Sequence, residues 1–152
     1  MRTRPPLSSG AHNVGAGLIF LAGYMVMGFV LVYLRDFAPD AEEWAASYSE
    51  GTHFESRLAH VHGALFALLN ITFGLLLPHL PGPAKQRSIV AGLVLAGMLM
   101  PLGILAEVIF GLPPVLVLAG GISILAGTLL AGIMWIRYRC LGASEPDVTA
   151  RP

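Results

Sequence analysis

Two histidines with a single residue between them lie in segment 57–80, where most other residues are apolar. His60 and His62 carry imidazoles, which bind metal ions or haem iron and transfer protons near neutral pH. In an α-helix, two residues correspond to a rotation of about 200°, so the two rings leave the helix on opposite sides. They therefore cannot chelate one ion together. His60 lies over a stripe of small residues and is expected to point into a helix bundle, whereas His62 is expected to face a different neighbour.

Glu107 is the one acidic residue inside a predicted membrane span. An intramembrane carboxylate is costly and marks a candidate functional site with a partner to be identified. Counting along antiparallel helices places Glu107 at the same depth as His60, which predicts a His/Glu site at the outer face. A structural ion pair of Glu107 with Arg57 or Arg35 is the alternative. The candidate metal ligands are His60, Glu107 and His53, and the other residues of this site are Arg57 and Glu55.

His60 and His62 are also the candidate cofactor ligands. The sequence Ala59-His60-Val61-His62-Gly63 resembles the His-x-His pair that haem–copper oxidases carry on one membrane helix, where each ring serves a different haem. No other predicted span contains a histidine, which excludes the complete oxidase ligand set. The resemblance implies a membrane electron-transfer protein that binds haem b or a transition metal. The haem would lie between two copies of the chain, or would take a methionine as its second axial ligand.

A second resemblance involves segment 54–70, FESRLAHVHGALFALLN, which follows a long first loop. With four helices in about 150 residues, it is similar to the membrane-associated eicosanoid and glutathione metabolism family. This similarity implies a glutathione-transferase-like enzyme in which Glu55, Arg57 and either His60 or His62 match the family's elements. The Asn and Glu expected to follow are absent, and the loop is acidic where anionic glutathione requires positive charge.

Four apolar stretches must position these residues. The chain is 55% hydrophobic and only 12% charged, against about 25% charged residues in an average soluble domain. The apolar residues concentrate in segments 14–34, 57–78, 89–110 and 114–137, and roughly 20 helical residues cross a hydrocarbon core of about 30 Å. Since backbone polar groups in lipid must be satisfied within the segment, we expect helices. The predicted fold is an all-α membrane protein, a four-transmembrane-helix bundle at 14–137 between a disordered tail at 1–13 and a cytoplasmic tail at 138–152.

Basic residues are distributed unequally between the two ends of the predicted bundle. Lys and Arg in short loops stay cytoplasmic, so the basic end is predicted to be inside and to contain both termini. The 35–57 loop is then outside, where the basic residues are Arg35 and Arg57. The basic residues of the inner end are Arg2, Arg4, Lys85, Arg87, Arg137, Arg139 and Arg151.

The 35–57 loop is predicted to contain a short amphipathic helix on the outer membrane surface. Asp40 with a glutamate three residues later resembles a capping box, and Gly51 supplies a stop signal. Trp44 and Tyr48 recur at helical spacing, and both residue types favour the headgroup level of a membrane.

Small residues at helical spacing predict where the spans pack against one another. On the second span the predicted face consists of Gly63, Ala67, Asn70 and Gly74, and on the fourth of Ala119, Ser123, Gly127 and Ala131. Pro101 removes the usual donor to the Gly97 carbonyl and is expected to kink the third span. We expect a compact bundle that forms a homo-oligomer or joins a larger membrane complex.

These patterns favour a small polytopic protein of a bacterial inner (plasma) membrane. The predicted role is that of an accessory subunit with a His/Glu site at its outer face, and a non-enzymatic role is favoured over an enzymatic one. The chain has no Gly-rich phosphate loop, nucleophile elbow or basic nucleic-acid patch, so the expected partners are the lipid bilayer and other membrane subunits. The haem- or metal-binding protein and the glutathione-transferase-like enzyme are the alternatives.

The predicted orientation is tested by labelling cysteines from outside the cell. A Ser47→Cys variant in a Cys140→Ser background should react with a membrane-impermeant maleimide, because the 35–57 loop is predicted to be outside. The native Cys140, next to the basic inner end, should stay unlabelled until the membrane is opened. The opposite labelling pattern would refute the orientation.

Overall fold

The computed structural model describes residues 10–142, which form helices and no strand. Of the predicted tails, 1–9 and 143–152 lie outside the described residues, whereas residue 11 already begins a helix. The helices are α1 (Ala11–Asp36), α2 (Ala41–Ala46), α3 (Gly51–Leu76), α4 (Ala84–Ala96), α5 (Leu99–Phe110) and α6 (Val115–Trp135). A 3₁₀ turn at Leu77–His79 continues α3, and a π-helical turn at Ile136–Cys140 continues α6.

Four helical segments are long and apolar enough to cross a membrane. They are Ala11–Asp36, Gly51–His79, Ala84–Phe110 and Val115–Cys140. This confirms the all-helical fold with four apolar helices of membrane-spanning length, and it is the pattern of a multi-pass membrane protein. The end of the bundle that faces the cytoplasm stays a prediction.

Each span packs mainly against the next one in chain order. Helix α1 lies along α3, α3 packs against α5, and both α4 and α5 pack against α6, while α1 also touches α4. Helices α1 and α6 carry exposed apolar side chains, such as Ile19 and Phe29 on α1 and Leu118 and Ile122 on α6. Such surfaces are compatible with contact to lipid chains.

Glycines allow α1 and α3 to approach closely. A β-carbon at Gly17 would lie 2.7 Å from the carbonyl oxygen of Ala67, and one at Gly63 would overlap the ring of Tyr24. Large side chains on one helix thus fit over glycines on the other. Since lipid tails supply no hydrophobic drive for helix association, such van der Waals contact is a main source of stability in a membrane. The small residues predicted on the second span are part of this interface.

Two buried asparagines connect three helices. Asn13 on α1 and Asn70 on α3 are 1% and 0% exposed. The Asn13 Nδ2 donates to Asn70 Oδ1 at 3.0 Å and to the carbonyl of Ala91 on α4 at 2.9 Å. The Asn70 Nδ2 donates to the carbonyl of Phe66 at 3.0 Å and to that of Val94 on α4 at 3.1 Å. Both side chains are therefore satisfied in an environment where an unpaired amide is costly.

The third span is interrupted before Pro101. Helix α4 ends at Ala96 and α5 begins at Leu99. Pro101 has no N–H to donate to Gly97, and the Gly97 carbonyl instead accepts the N–H of Met100 at 3.0 Å. The interruption expected from the proline is therefore present as a tight turn between two shorter helices.

The buried face of α6 differs from the predicted one. The predicted face included Ala119, but Ala119 is exposed and its neighbour Gly120 is buried. A β-carbon at Gly120 would overlap the backbone of Met100, so this glycine is where α6 meets α5. The buried residues of α6 are Gly120, Ile124, Gly127, Ala131 and Met134.

Asn70→Leu should lower the stability of the folded protein. The substitution removes the donor to Val94 and the acceptor for Asn13, and leaves a buried amide under-satisfied. Interhelical hydrogen bonds in membranes contribute about 0.6 kcal/mol each, up to ~1.7 kcal/mol, so we expect a loss of roughly 1–3 kcal/mol in a denaturant titration of detergent-solubilised protein. Thr72→Val is the matched control, because the Thr72 hydroxyl bonds only within its own helix, to Leu68. An equal loss in both variants would contradict the interhelical role.

Candidate functional site

His53 anchors the loop to the beginning of α3. The Trp44 ring stacks on the His53 ring, with centroids 4.5 Å apart and planes at 20°. The Tyr48 ring meets His53 edge-on at 5.5 Å. The carbonyl of Trp44 can only accept a hydrogen bond, so His53 donates its Nδ1–H to it at 2.6 Å. His53 is 4% exposed, and its contacts fix both the position of the ring and the position of the loop.

Arg57 is held by Tyr48 through three contacts. The guanidinium carbon lies 3.4 Å from the centroid of the Tyr48 ring. The Arg57 Nη1 donates to the carbonyl of Tyr48 at 3.0 Å, and Nη2 donates to the Tyr48 hydroxyl. Within residues 10–142 the only ion pair joins Arg35 to Asp36, so Arg57 has no carboxylate partner there. The tyrosine therefore fixes the guanidinium while leaving its charge uncompensated in the described part of the chain.

His60 lies in the α1–α3 interface, one helical turn after Arg57. A β-carbon at Gly28 on α1 would lie 3.0 Å from His60 Cε1 and 3.5 Å from Nε2. The imidazole therefore occupies the space that this glycine leaves open. The Nδ1 of His60 is buried and has no hydrogen-bond partner among residues 10–142. A buried nitrogen without a partner costs stability, which a bound water or ligand would offset.

A cleft of about 260 Å³ lies between the C-terminal part of α1 and the first turns of α3. Its apolar walls come mainly from α1, with Val61 on α3. The polar residues that line it are Arg35, Tyr48, His53, Arg57 and His60. Arg35 is paired with Asp36 at 2.7 Å in an exposed position, which moderates its charge. Arg57 is therefore the dominant cation of the cleft.

The predicted metal ligands His60, Glu107 and His53 are not grouped together within the described residues, and a metal site there stays a prediction. Among residues 10–142, no group of three or more His, Cys, Asp or Glu side chains is close enough to hold a metal ion. His53 and His60 line the cleft, whereas Glu107 and Glu55 do not. The carboxylate of Glu107 also forms no hydrogen bond or ion pair within the described residues, including with Arg57 or Arg35.

The rotation of α5 determines which helix Glu107 lies closest to. A β-carbon at Gly103 would lie 2.7 Å from the backbone nitrogen of Val117 and 2.9 Å from Cβ of Leu116, so this side of α5 packs on α6. Glu107 follows Gly103 by one turn and leaves α5 on nearly the same side. Glu107 is thus on the side of α5 that packs on α6. Within the described residues no hydrogen bond or ion pair joins its carboxylate to His60.

His62 lies on a different side of α3 from His60. Its Nδ1–H donates to the carbonyl of Leu58 at 2.9 Å, and its ring meets Phe66 edge-on at 6.1 Å. His60 meets α1 at Gly28. The two rings therefore serve different neighbours, in agreement with the rotation of about 200° expected from their spacing. Binding of haem or a transition metal by either histidine stays a prediction.

Two residues that shape the cleft are not evident from the sequence. The aromatic spacing of the loop predicts Tyr48 at the membrane surface, but its ring contacts His53 and Arg57. Gly28 belongs to no sequence motif, and its importance emerges only when His60 of α3 is placed against α1. Tyr48 and Arg57 are nine residues apart and meet only because of the turn between α2 and α3. That turn has no recognisable pattern in the local sequence.

No known protein family, curated protein or solved structure matches this chain. The function must therefore be inferred from the residues that the fold brings together. Of these, Arg57, Tyr48, His53 and His60 form the most chemically specific arrangement in the cleft.

His53→Ala should release the loop from α3. We expect the emission of Trp44 to shift to longer wavelength and to become more sensitive to acrylamide, because the stacked ring and the hydrogen bond to the Trp44 carbonyl are both lost. The measurement uses a Trp135→Phe background, which leaves Trp44 as the only tryptophan. His62→Ala is the control and should leave the Trp44 emission unchanged. An unchanged spectrum in His53→Ala would contradict the anchoring role.

Proposed function

We propose that this protein is a membrane-embedded accessory subunit that binds an acidic group, a carboxylate or a phosphate, in the cleft between α1 and α3. The observation that carries the proposal is the guanidinium of Arg57, which Tyr48 holds at the wall of the cleft. Guanidinium groups bind carboxylates and phosphates through two parallel hydrogen bonds. A guanidinium that is already fixed loses less side-chain entropy when it binds.

The neighbouring groups suit the same type of ligand. Arg35 adds a second guanidinium at the rim, and His53 and His60 add two imidazoles. The Nδ1–H of His53 already donates to the Trp44 carbonyl, so His53 donates to an anion only through Nε2 and only when its ring is protonated. His60 donates through whichever nitrogen carries its proton. The buried, unpartnered Nδ1 of His60 lies in the same region of the described chain. Several donors thus converge on a small volume.

The size of the cleft limits what it can enclose. Its volume of about 260 Å³ is slightly below the roughly 300–1,000 Å³ of typical small-molecule pockets. The cleft therefore suits an acidic group of the size of a phosphate or a short carboxylate, either free or as the end of a larger molecule. The remainder of a larger ligand would lie outside it, along the helices.

Arg57→Gln should abolish the binding of inorganic phosphate or acetate to the detergent-purified protein. Wild-type protein should melt at a higher temperature with phosphate or acetate than with chloride at equal ionic strength, because a ligand stabilises the state that binds it. Arg57→Lys should weaken binding by roughly tenfold, since an ammonium group cannot form the paired hydrogen bonds of a guanidinium.

Arg137→Gln is the matched control, because Arg137 is an exposed arginine at the opposite end of the bundle. Its ligand response should equal that of the wild type. If Arg57→Gln and Arg137→Gln respond identically to phosphate and acetate, the cleft is not the anion site and the proposed function fails.

A further inference from the structure

We infer that the ligand of this cleft is a phosphate-bearing membrane lipid, with its phosphate at Arg57 and one hydrocarbon chain along the outside of α3. The inference rests on the proposed function and adds the class of ligand. It follows from the apolar surface next to Arg57, from the acidic surface on the other side of the cleft, and from the depth of Arg57 in its span.

An apolar groove continues from the cleft along α3. The groove has a volume of about 150 Å³ and is lined by Phe54, Arg57, Leu58 and Val61. Arg57 and Val61 line both the groove and the cleft. Val61 is 61% exposed and Phe54 is 44% exposed, so this apolar surface is open at the side of the helix. A ligand with a hydrocarbon chain attached to its acidic group covers both surfaces at once.

The surface on the loop side of the cleft is acidic. A broad depression of about 880 Å³ there is lined by Asp36, Asp40, Glu42 and Glu43, next to Arg35. These carboxylates repel an anion that approaches through water. The lining of the apolar groove contains no acidic residue. The charges of the two surfaces therefore favour a ligand that enters from the membrane.

The depth of Arg57 brings its side chain within reach of a lipid phosphate. The span Gly51–His79 contains 29 residues, which corresponds to about 43 Å of helix at ~1.5 Å per residue. A bilayer with its headgroups is about 40–45 Å thick around a core of about 30 Å, which leaves roughly 5–7 Å of headgroups on each side. Arg57 lies six residues after Gly51, or about 9 Å along the axis. With the span centred in the bilayer, the backbone of Arg57 is about 2–4 Å on the hydrocarbon side of the headgroup boundary, a distance that the long side chain of arginine covers.

The test uses Trp44 as a reporter, because Trp44 stacks on His53 at the edge of the cleft. Trp135→Phe protein is placed in phosphatidylcholine nanodiscs that contain a minor fraction of phosphatidic acid with acyl chains brominated near the headgroup. Brominated phosphatidylcholine at the same fraction is the reference lipid. We expect the phosphatidic acid to be enriched at Trp44 roughly fivefold over the reference, from the quenching of emission.

Two pairs of variants localise the effect. Arg57→Gln should remove the preference for phosphatidic acid, whereas Arg137→Gln should retain it. Val61→Phe should fill the groove and reduce the quenching, whereas Leu65→Phe, at an exposed position one turn further along α3, should not. Circular dichroism of each variant verifies that the helices are intact.

Glycerol 3-phosphate, which has the phosphate but no hydrocarbon chain, separates this inference from the proposed function. If glycerol 3-phosphate stabilises the protein through Arg57 while phosphatidic acid quenches no more than phosphatidylcholine, the lipid inference is overturned and the proposed function stands. If the preference for phosphatidic acid persists in Arg57→Gln, the lipid is attracted elsewhere and the inference is also overturned. If neither the soluble phosphate nor the lipid depends on Arg57, both proposals fail.

Discussion

The close contact between α1 and α3 determines where every other feature of the cleft lies. Glycines at positions 17, 28 and 63 let side chains of one helix rest on the backbone of the other. Within lipid this contact and a few hydrogen bonds replace the hydrophobic effect as the force between helices. The interface places Asn13 beside Asn70 at one level and Gly28 beside His60 at another. Without this approach, the two walls of the cleft would have no fixed relation to each other.

The four spans were predictable because the membrane limits the available structures. Lipid requires helices of about 20 apolar residues, and composition alone identifies such segments. The packing face of α3 was also predictable, since Gly63, Ala67, Asn70 and Gly74 recur at a clear helical spacing. On α6 the small residues Ala119, Gly120 and Gly121 are adjacent, so their pattern does not select one face. Which face of α6 is buried depends on α5, whose backbone at Met100 packs directly against Gly120.

The cleft was predictable only in part. The positions of His60 and His62 on different sides of α3 follow from helical rotation. The rotation of Glu107 does not follow from its depth, because it depends on the turn before Pro101 and on the contact of Gly103 with α6. The sequence predicts that Gly51 ends the loop helix, and instead it begins α3 with a φ of 57°, a conformation that glycine adopts readily. The change of chain direction at Gly51 places the Tyr48 ring against the Arg57 guanidinium.

The partners of the two arginines at the loop end of the bundle, Arg35 and Arg57, differ in a way that bears on function. Arg35 pairs with the carboxylate of the adjacent Asp36, which compensates its charge. Arg57 is on the same side of the bundle, near a loop with several acidic residues, yet it is held by the ring, carbonyl and hydroxyl of Tyr48. A carboxylate would position a guanidinium and cancel its charge, whereas an aromatic ring positions it and leaves most of the charge available. A fixed cation with available charge, beside an apolar groove, is what recognition of an anionic group at a membrane surface requires.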